Sequence, residues 1–182
     1  MNFKMKSHLM DELALKRTVT RLAHEIVERC KGTENMRIIG IRTRGEFLAK
    51  RIARKIEEVE GVSIQVGILD TVMYRDDFRI KKQLPAIELT DIPFVVDDKI
   101  LVLVDDVIYT GRTIRAAMDA LMDFGRPSAI QLAVLIDRGH RELPIKADYI
   151  GKNVPTSDNE EVRVHMKESD GKDEILLVEV DQ

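Results

Sequence analysis

The sequence predicts an α/β fold: a largely parallel central sheet flanked by helices. Two patterns and one bound predict it. Apolar strand-like runs alternate with amphipathic helical segments along the chain. The strand-like runs are continuously apolar, as in Leu101-Val-Leu-Val104, which suits strands covered on both faces. The length of 182 residues leaves room for one domain and hardly two, so we read residues 1–182 as a single domain.

Each element has its own signal. Leu15, Val19, Leu22 and Ile26 recur at three- and four-residue steps and predict a first helix, started by Asp11 and Glu12 and stopped by Gly32. Its polar face carries Arg17, Thr20, Arg21, His24 and Glu28. Met36–Ile41 reads as a buried strand running into Thr43-Arg44-Gly45, then a helix from Phe47 to about Val59, ended by Gly61. Ser63–Met73 reads as a strand rich in β-branched residues. Residues 73–97 are polar, broken by Pro85 and Pro93, and without a sustained period. A connection of that length is more often functional than idle, so a mobile loop over an active site is expected there. Lys99–Val104 is the next strand and delivers Asp105-Asp106. Thr110-Gly111-Arg112-Thr113 opens a helix through about Phe124. Ala129–Ile136 is a strand ending at Asp137-Arg138-Gly139, and shorter strands follow at 148–150, 162–166 and 175–180. The first ten residues carry no recognisable motif.

Composition excludes several classes. Charged residues make up 34%, and no apolar run approaches the ~18 residues of a spanning helix, so a membrane protein is not expected. The N-terminal residues lack the apolar core of a secretory signal, and the single Cys30 excludes an internal disulfide or thiolate zinc site, so a cytoplasmic chain is expected. The net charge of −3 hides an asymmetry. Residues 1–31 hold seven Lys/Arg against four Asp/Glu, residues 138–152 four against two, and residues 153–182 three against nine. A chain that is acidic overall can thus carry a local basic surface.

The segment with most chemistry is Leu101 to Thr113. A buried strand delivers two adjacent carboxylates to its carboxyl end, and a hydroxyl- and glycine-bearing loop leads into a helix N-terminus. Free N–H groups there favour a phosphate, Gly111 allows close approach, and Thr110 and Thr113 can donate to phosphate oxygens. The carboxylates suit the vicinal hydroxyls of a sugar. One loop can then hold a sugar phosphate at both ends. Neither a Walker A loop nor a Gly-x-Gly-x-x-Gly fingerprint is present.

As one ordered string, apolar strand, Asp-Asp, three residues, Thr-Gly-x-Thr, this segment resembles the phosphoribosyl diphosphate (PRPP) motif of type I phosphoribosyltransferases. Further runs resemble one branch of them, the PyrR family of bacterial pyrimidine operon attenuation regulators with uracil phosphoribosyltransferase activity. These are Arg21-Leu-Ala-His-Glu25, Thr43-Arg44-Gly45, Tyr74-Arg-Asp-Asp77, Gly125-Arg-Pro-Ser128, Asp137-Arg-Gly-His-Arg-Glu-Leu-Pro144 and Ala147-Asp-Tyr-Ile-Gly-Lys-Asn153. They span nearly the whole chain, and Arg79-Ile-Lys-Lys82 makes the long segment basic here.

The resemblance implies a type I phosphoribosyltransferase fold and a reaction in which uracil and PRPP give UMP and diphosphate, with Mg2+ on the PRPP. It implies that Asp105 and Asp106 bind the ribose hydroxyls and metal, and that Val107, Tyr109 and Thr110 to Thr113, including Arg112, form the phosphate loop. Thr43 and Arg44 would meet the diphosphate, with Tyr74 and Arg75 opening the closing segment. Asp137 would hold a metal-bound water, Arg138 would reach the base or diphosphate, and main chain around Val162 would read the uracil edge. It also implies an RNA-binding face from Thr20, His24, Arg29, Arg141, Lys146 and Lys152, in a homodimer or higher homo-oligomer that binds pyrimidine operon leader mRNA. Two other readings compete with this one. One is uracil salvage alone, with a vestigial basic face. The other is a nucleotide-sensing module that has lost catalysis, against which intact Asp105, Asp106, Arg44 and Thr113 weigh.

Overall fold

The computed structural model describes residues 3–74 and 90–180. Arg75 and most of the expected 73–97 loop, Arg79–Lys82 included, lie outside the described residues.

The element order is β1 (Phe3–Met10), α1 (Glu12–Cys30), β2 (Met36–Ile41), α2 (Arg44–Glu60), β3 (Val66–Leu69), β4 (Ile100–Ile108), α3 (Arg112–Met122), β5 (Ala129–Asp137), β6 (Tyr149–Asn153), β7 (Glu160–His165), α4 (Lys167–Asp170) and β8 (Glu174–Val180). Five strands form a parallel sheet in the order β3-β2-β4-β5-β6. Successive side chains of a strand point to opposite faces, so continuous apolar runs build two cores. Val102, Val104, Ala133 and Leu135 face a core closed by Leu15, Leu22 and Ile26 of α1 and Leu48, Ile52 and Ile56 of α2. Leu101, Leu103, Leu132 and Val134 face the other core, closed by Ile114, Ala117, Ala120 and Leu121 of α3. At about 1.5–3 kcal/mol for each large apolar side chain buried, these stripes outweigh any single surface contact.

The helix ends follow from chemistry read in the sequence. The Asp11 carboxylate accepts the Ala14 N–H at 2.7 Å and caps α1, and the chain leaves α1 through Lys31 in the left-handed region. Gly61, also left-handed with φ 69°, ends α2.

Four expectations are corrected. β4 does not stop before the aspartates: its ladder with β5 continues through Val107↔Ile136 and Ile108↔Asp137, so Asp105 and Asp106 are strand residues. α2 starts at Arg44 rather than Phe47, because the turn after β2 folds directly into helix. The strand expected over 63–73 is only Val66–Leu69, followed by a 3-10 turn at Val72–Tyr74 in which the Asp70 side chain accepts the Val72 N–H at 2.8 Å. Phe3–Met10 is a strand after all. It pairs antiparallel with β8, which also pairs with β7, in a second sheet ordered β1-β8-β7. Met10, Val164, Met166 and Ile175 seat that sheet on the α1–α2 core.

Candidate active site and basic face

The site is assembled just past the end of β2, beside the middle of β4. Gly45 makes this possible: a Cβ there would lie 2.5 Å from the Val104 carbonyl oxygen and 3.1 Å from the Asp105 Cα. Only a glycine lets the Thr43-Arg44-Gly45 turn lie against β4 at Val104 and Asp105. The Arg42–Thr43 peptide in this turn is cis.

Asp105 is buried and Asp106 partly so. Asp105 Oδ1 accepts the Asp106 N–H at 2.9 Å, and Asp106 Oδ1 accepts the Val107 N–H at 2.9 Å. Burial pushes the Asp106 carboxyl above its ordinary value, against the opposing pull of its hydrogen bond with Asp105 and of the Arg44 charge. A carboxyl whose charge is opposed by burial, beside a second, buried carboxylate, suits a ligand that brings donors or positive charge.

The loop after β4 wraps a cavity of about 250 Å³ lined by Asp105, Val107, Tyr109, Thr110 to Thr113 and Glu142. Gly111 caps α3 at φ 93°, in the left-handed region a side chain would resist. The Glu142 N–H donates to the Thr110 carbonyl at 3.0 Å, and its carboxylate takes Arg112 Nε at 2.6 Å, so the 138–146 segment holds the loop from outside. A second cavity of about 280 Å³ adjoins the end of β5, lined by Asp137, Arg138, Gly139, His140, Asn153 and Thr156.

Between the two cavities stands Tyr109, 41% exposed. The Arg138 guanidinium carbon lies 4.2 Å from its ring centroid and the His140 ring centroid 5.7 Å away. Arg138 is buried. Its Nε donates to Thr156 Oγ1 at 3.1 Å and its Nη2 to the Glu160 carbonyl at 2.5 Å. The second sheet therefore reaches the site through the start of β7. Val162 lies two residues further on, half-buried against the α1–α2 core.

Other expected residues are placed elsewhere. The Tyr74 hydroxyl donates to Asp123, just past the end of α3, so this side chain points along α3. Asp137 is already engaged by the Gly139 N–H at 2.9 Å and by Arg141. Arg141 is turned inward: it donates to the Tyr109, Gly139 and Ile145 carbonyls at 2.6, 3.1 and 3.0 Å. No motif or spacing points to Thr156, Glu160 or Asp170 at the site. Asp170 lies in an acidic stretch without a motif, yet its carboxylate takes Arg44 Nη2 at 3.0 Å and Nε at 3.3 Å.

The remaining basic residues lie on another side. Helix α1 docks on the edge strand β6 through Arg21, whose Nη2 donates to the Ile150 and Gly151 carbonyls at 3.2 and 2.6 Å. Gly151 permits the approach, since a Cβ there would meet Thr18 Cγ2 at 2.8 Å. Thr20 returns its hydroxyl to the Lys16 carbonyl, and His24 is exposed one turn on. Arg29 pairs with Asp148 at 2.7 Å over the Tyr149 ring, and Lys152 Nζ reaches the Leu9 carbonyl at 3.2 Å. Lys146 is exposed in the loop ahead of β6.

Comparison with known proteins agrees with this architecture. Residues 6–169 match the phosphoribosyl transferase domain family. A protein named "Bifunctional protein PyrR" from Pelotomaculum thermopropionicum is 57% identical over 174 residues, covering 96% of each chain. Proteins of the same name from Acetivibrio thermocellus and Clostridioides difficile are 56% and 54% identical, covering 97% and 96% of this chain and 96% and 98% of their own. Among solved structures, a hypoxanthine phosphoribosyltransferase of Trypanosoma cruzi superposes with a TM-score of 0.73 at 16% identity, over 97% of this chain and 98% of its own. A hypoxanthine-guanine phosphoribosyltransferase from Bacillus anthracis gives 0.71 at 19% identity, over 98% and 99%. At such identities the structural likeness establishes the type I fold alone.

Proposed function

We infer that the chain, which belongs to the phosphoribosyl transferase family, is a uracil phosphoribosyltransferase that also regulates pyrimidine operons, like the proteins named PyrR that match it end to end. It joins uracil to PRPP, giving UMP and diphosphate, and with UMP bound it holds pyrimidine operon leader mRNA and promotes attenuation. The observation that carries the enzymatic half is Asp105 in the lining of the Thr110–Thr113 cavity, with the Thr43-Arg44-Gly45 turn packed against it and Asp106 next to it in β4.

Each part of the substrate has a matching group. The 5′-phosphate takes N–H groups at the start of α3 and the hydroxyls of Thr110 and Thr113, where helix dipole and donors coincide. The ribose hydroxyls donate to Asp105 and Asp106. The diphosphate leaves from an anomeric carbon that becomes oxocarbenium-like, and the developing charge on it meets the main chain of Thr43 and the guanidinium of Arg44. Arg138, held in a buried position by Thr156 and Glu160, presents its charge beside Tyr109 where the base and the reacting carbon come together. Main chain near Val162 reads the uracil edge.

Magnesium fits the donor set. Asp105 and Asp106 offer hard oxygen ligands beside a polyanion site, as Mg2+ shared between one or two carboxylates and substrate phosphates requires. Those two residues would hold it, and when bound it neutralises the diphosphate leaving group. Asp137, with both oxygens engaged, shapes the loop that carries Arg138.

The basic residues of α1 and the β6 edge, Thr20, His24, Arg29 and Lys152, together with Lys146, form the RNA face, with Lys and Arg on phosphates. Arg141 serves that face from behind, by fixing the loop that carries Lys146. The protein acts in the cytoplasm as a homodimer or higher homo-oligomer. The test is direct: purified protein with uracil, PRPP and magnesium forms UMP and diphosphate, and labelled leader RNA binds more tightly when UMP is added. No UMP formed from uracil overturns the enzymatic reading, and RNA binding indifferent to UMP reduces it to salvage alone.

A further inference from the structure

Arg44 is the least anchored part of the diphosphate turn by its own chemistry. It is the first residue of α2, its side chain is about one-third exposed, and a free arginine loses rotamer freedom when a ligand fixes it. In this structure it is not free. Its Nε and Nη2 edge lies on the Asp170 carboxylate.

That carboxylate is itself fixed from behind. Asp170 Oδ2 accepts the Met166 N–H at 2.9 Å and the Ser169 hydroxyl at 2.7 Å, both from its own turn between β7 and β8. Burial works against its charge. The Met166 N–H, the Arg44 guanidinium and the Ser169 hydroxyl outweigh burial and hold the carboxyl well below the usual carboxylate range. An acceptor with four donors, two of them in a short turn, cannot follow a moving arginine. It can only set where the arginine stands.

We propose that Asp170 is a positioning residue for the phosphoribosyl transfer: from the second sheet it fixes the guanidinium of Arg44 by one edge, so that the Nη1 side meets the diphosphate already oriented. The inference rests on the reading that Arg44 meets the diphosphate, and it adds the reason that arginine arrives in place. A fork held by its Nε–Nη2 edge still has N–H groups to give, so anchor and ligand do not compete for the same donors. The alternative is that Asp170 is an internal anion that diphosphate must displace. The two differ in sign. Removing a competitor tightens PRPP binding, whereas removing an anchor weakens it, although one negative charge has left the neighbourhood.

The experiment is a mutant cycle on the full-length protein, with diphosphate–magnesium affinity measured by calorimetry alongside the KM for PRPP, the KM for uracil and kcat. Asp170→Asn is expected to raise the PRPP KM and the diphosphate Kd about tenfold, the scale of a misplaced charge-assisted contact, with the uracil KM moving less than about twofold. Ser169→Ala removes a donor of the turn without touching Arg44 and is expected to leave the PRPP KM within about twofold, which separates loss of the turn from loss of the anchor. Arg44→Ala is expected to weaken diphosphate binding by itself, and in that background Asp170→Asn is expected to add less than about twofold, since the two act as one unit. Tighter PRPP binding by Asp170→Asn overturns the proposal in favour of competition. So does an undiminished Asp170→Asn effect when Arg44 is already alanine, or a parallel rise of both KM values. If Arg44→Ala leaves diphosphate affinity unchanged, the assignment of Arg44 fails and this inference falls with it. If Arg44→Ala weakens binding and Asp170→Asn does not, the inference alone fails.

Discussion

The cavity at the end of β4 and the basic face of α1 and β6 both present charge, but they hold it differently. At the cavity nearly every charged side chain is fixed by another protein group. Asp105 and Asp106 take backbone N–H groups, Arg138 grips Thr156 and Glu160, and Arg112 grips Glu142. On the basic face Lys146 and His24 make no hydrogen bond or ion pair among the described residues, and Arg29 and Lys152 are exposed, the first against Asp148 and the Tyr149 ring and the second on the Leu9 carbonyl. The difference matches the ligands. A small substrate passing through a charged transition state needs dipoles set beforehand, because reorganising them during the reaction raises the barrier. A flexible polyanion gains its affinity from the number of neutralised phosphates, which adaptable lysines supply.

The largest effect that sharpens this contrast is at the carboxylates. Asp105→Asn with Asp106→Asn should lower UMP formation by at least about a hundredfold, with RNA binding in the absence of UMP unchanged. Single-turnover assays and filter binding measure the two. Turnover that survives within a few fold breaks the assignment of these residues.

Base choice comes next. Uracil should be consumed, and hypoxanthine, guanine and orotate should not, because another base leaves polar groups of the pocket unpaired. The neighbours in fold are purine enzymes, so a comparison of rates with uracil and hypoxanthine separates family from fold. Equal rates with a purine would remove the pyrimidine reading and leave the architecture standing.

On the basic face the expected effects are smaller and carry a salt signature. Lys146→Ala and Lys152→Ala should each weaken leader RNA binding and lower the slope of log affinity against log salt by about 0.7–1, while UMP synthesis stays as it was. A salt slope that ignores both lysines would move the RNA elsewhere. UMP should tighten RNA binding by roughly 5–150-fold, and by linkage RNA must tighten UMP by the same factor. The 138–146 segment, which carries Arg138 at one end and Lys146 at the other and is braced by Arg141, would connect the two sites.

The smallest effect is on stability. The Asp106 carboxyl is raised by burial, so the folded state binds its proton more readily than the unfolded chain does. The folded state is then favoured at low pH. It loses that advantage as pH rises from the ordinary carboxylate value through the raised one. Asp106→Asn should flatten this slope and raise the thermal midpoint at neutral pH by about 2–4 °C for each kcal/mol of penalty removed. The variant is then more stable and less active. A lower midpoint would show that the charge is stabilised in the free protein.

The sequence by itself determined the parallel sheet, its three long helices and the string that marks the phosphate loop. These are local matters: the period of Leu15, Val19, Leu22 and Ile26, the continuous run Leu101–Val104, and the Thr-Gly-Arg-Thr at a helix start depend on neighbours a few positions away. Tertiary structure decided what depends on distant partners. Phe3–Met10 shows little as a sequence and becomes a strand because β8 offers it an edge. β4 runs past its aspartates because β5 continues beside it. Arg141 reads as one more surface cation, yet three carbonyls and Asp137 draw it inward. Arg44 and Asp170 stand 126 positions apart and meet only because the second sheet folds back over the α1–α2 core. No periodicity or motif encodes such a pair, since the free energy that joins them belongs to the burial of the apolar faces that bring the two sheets together.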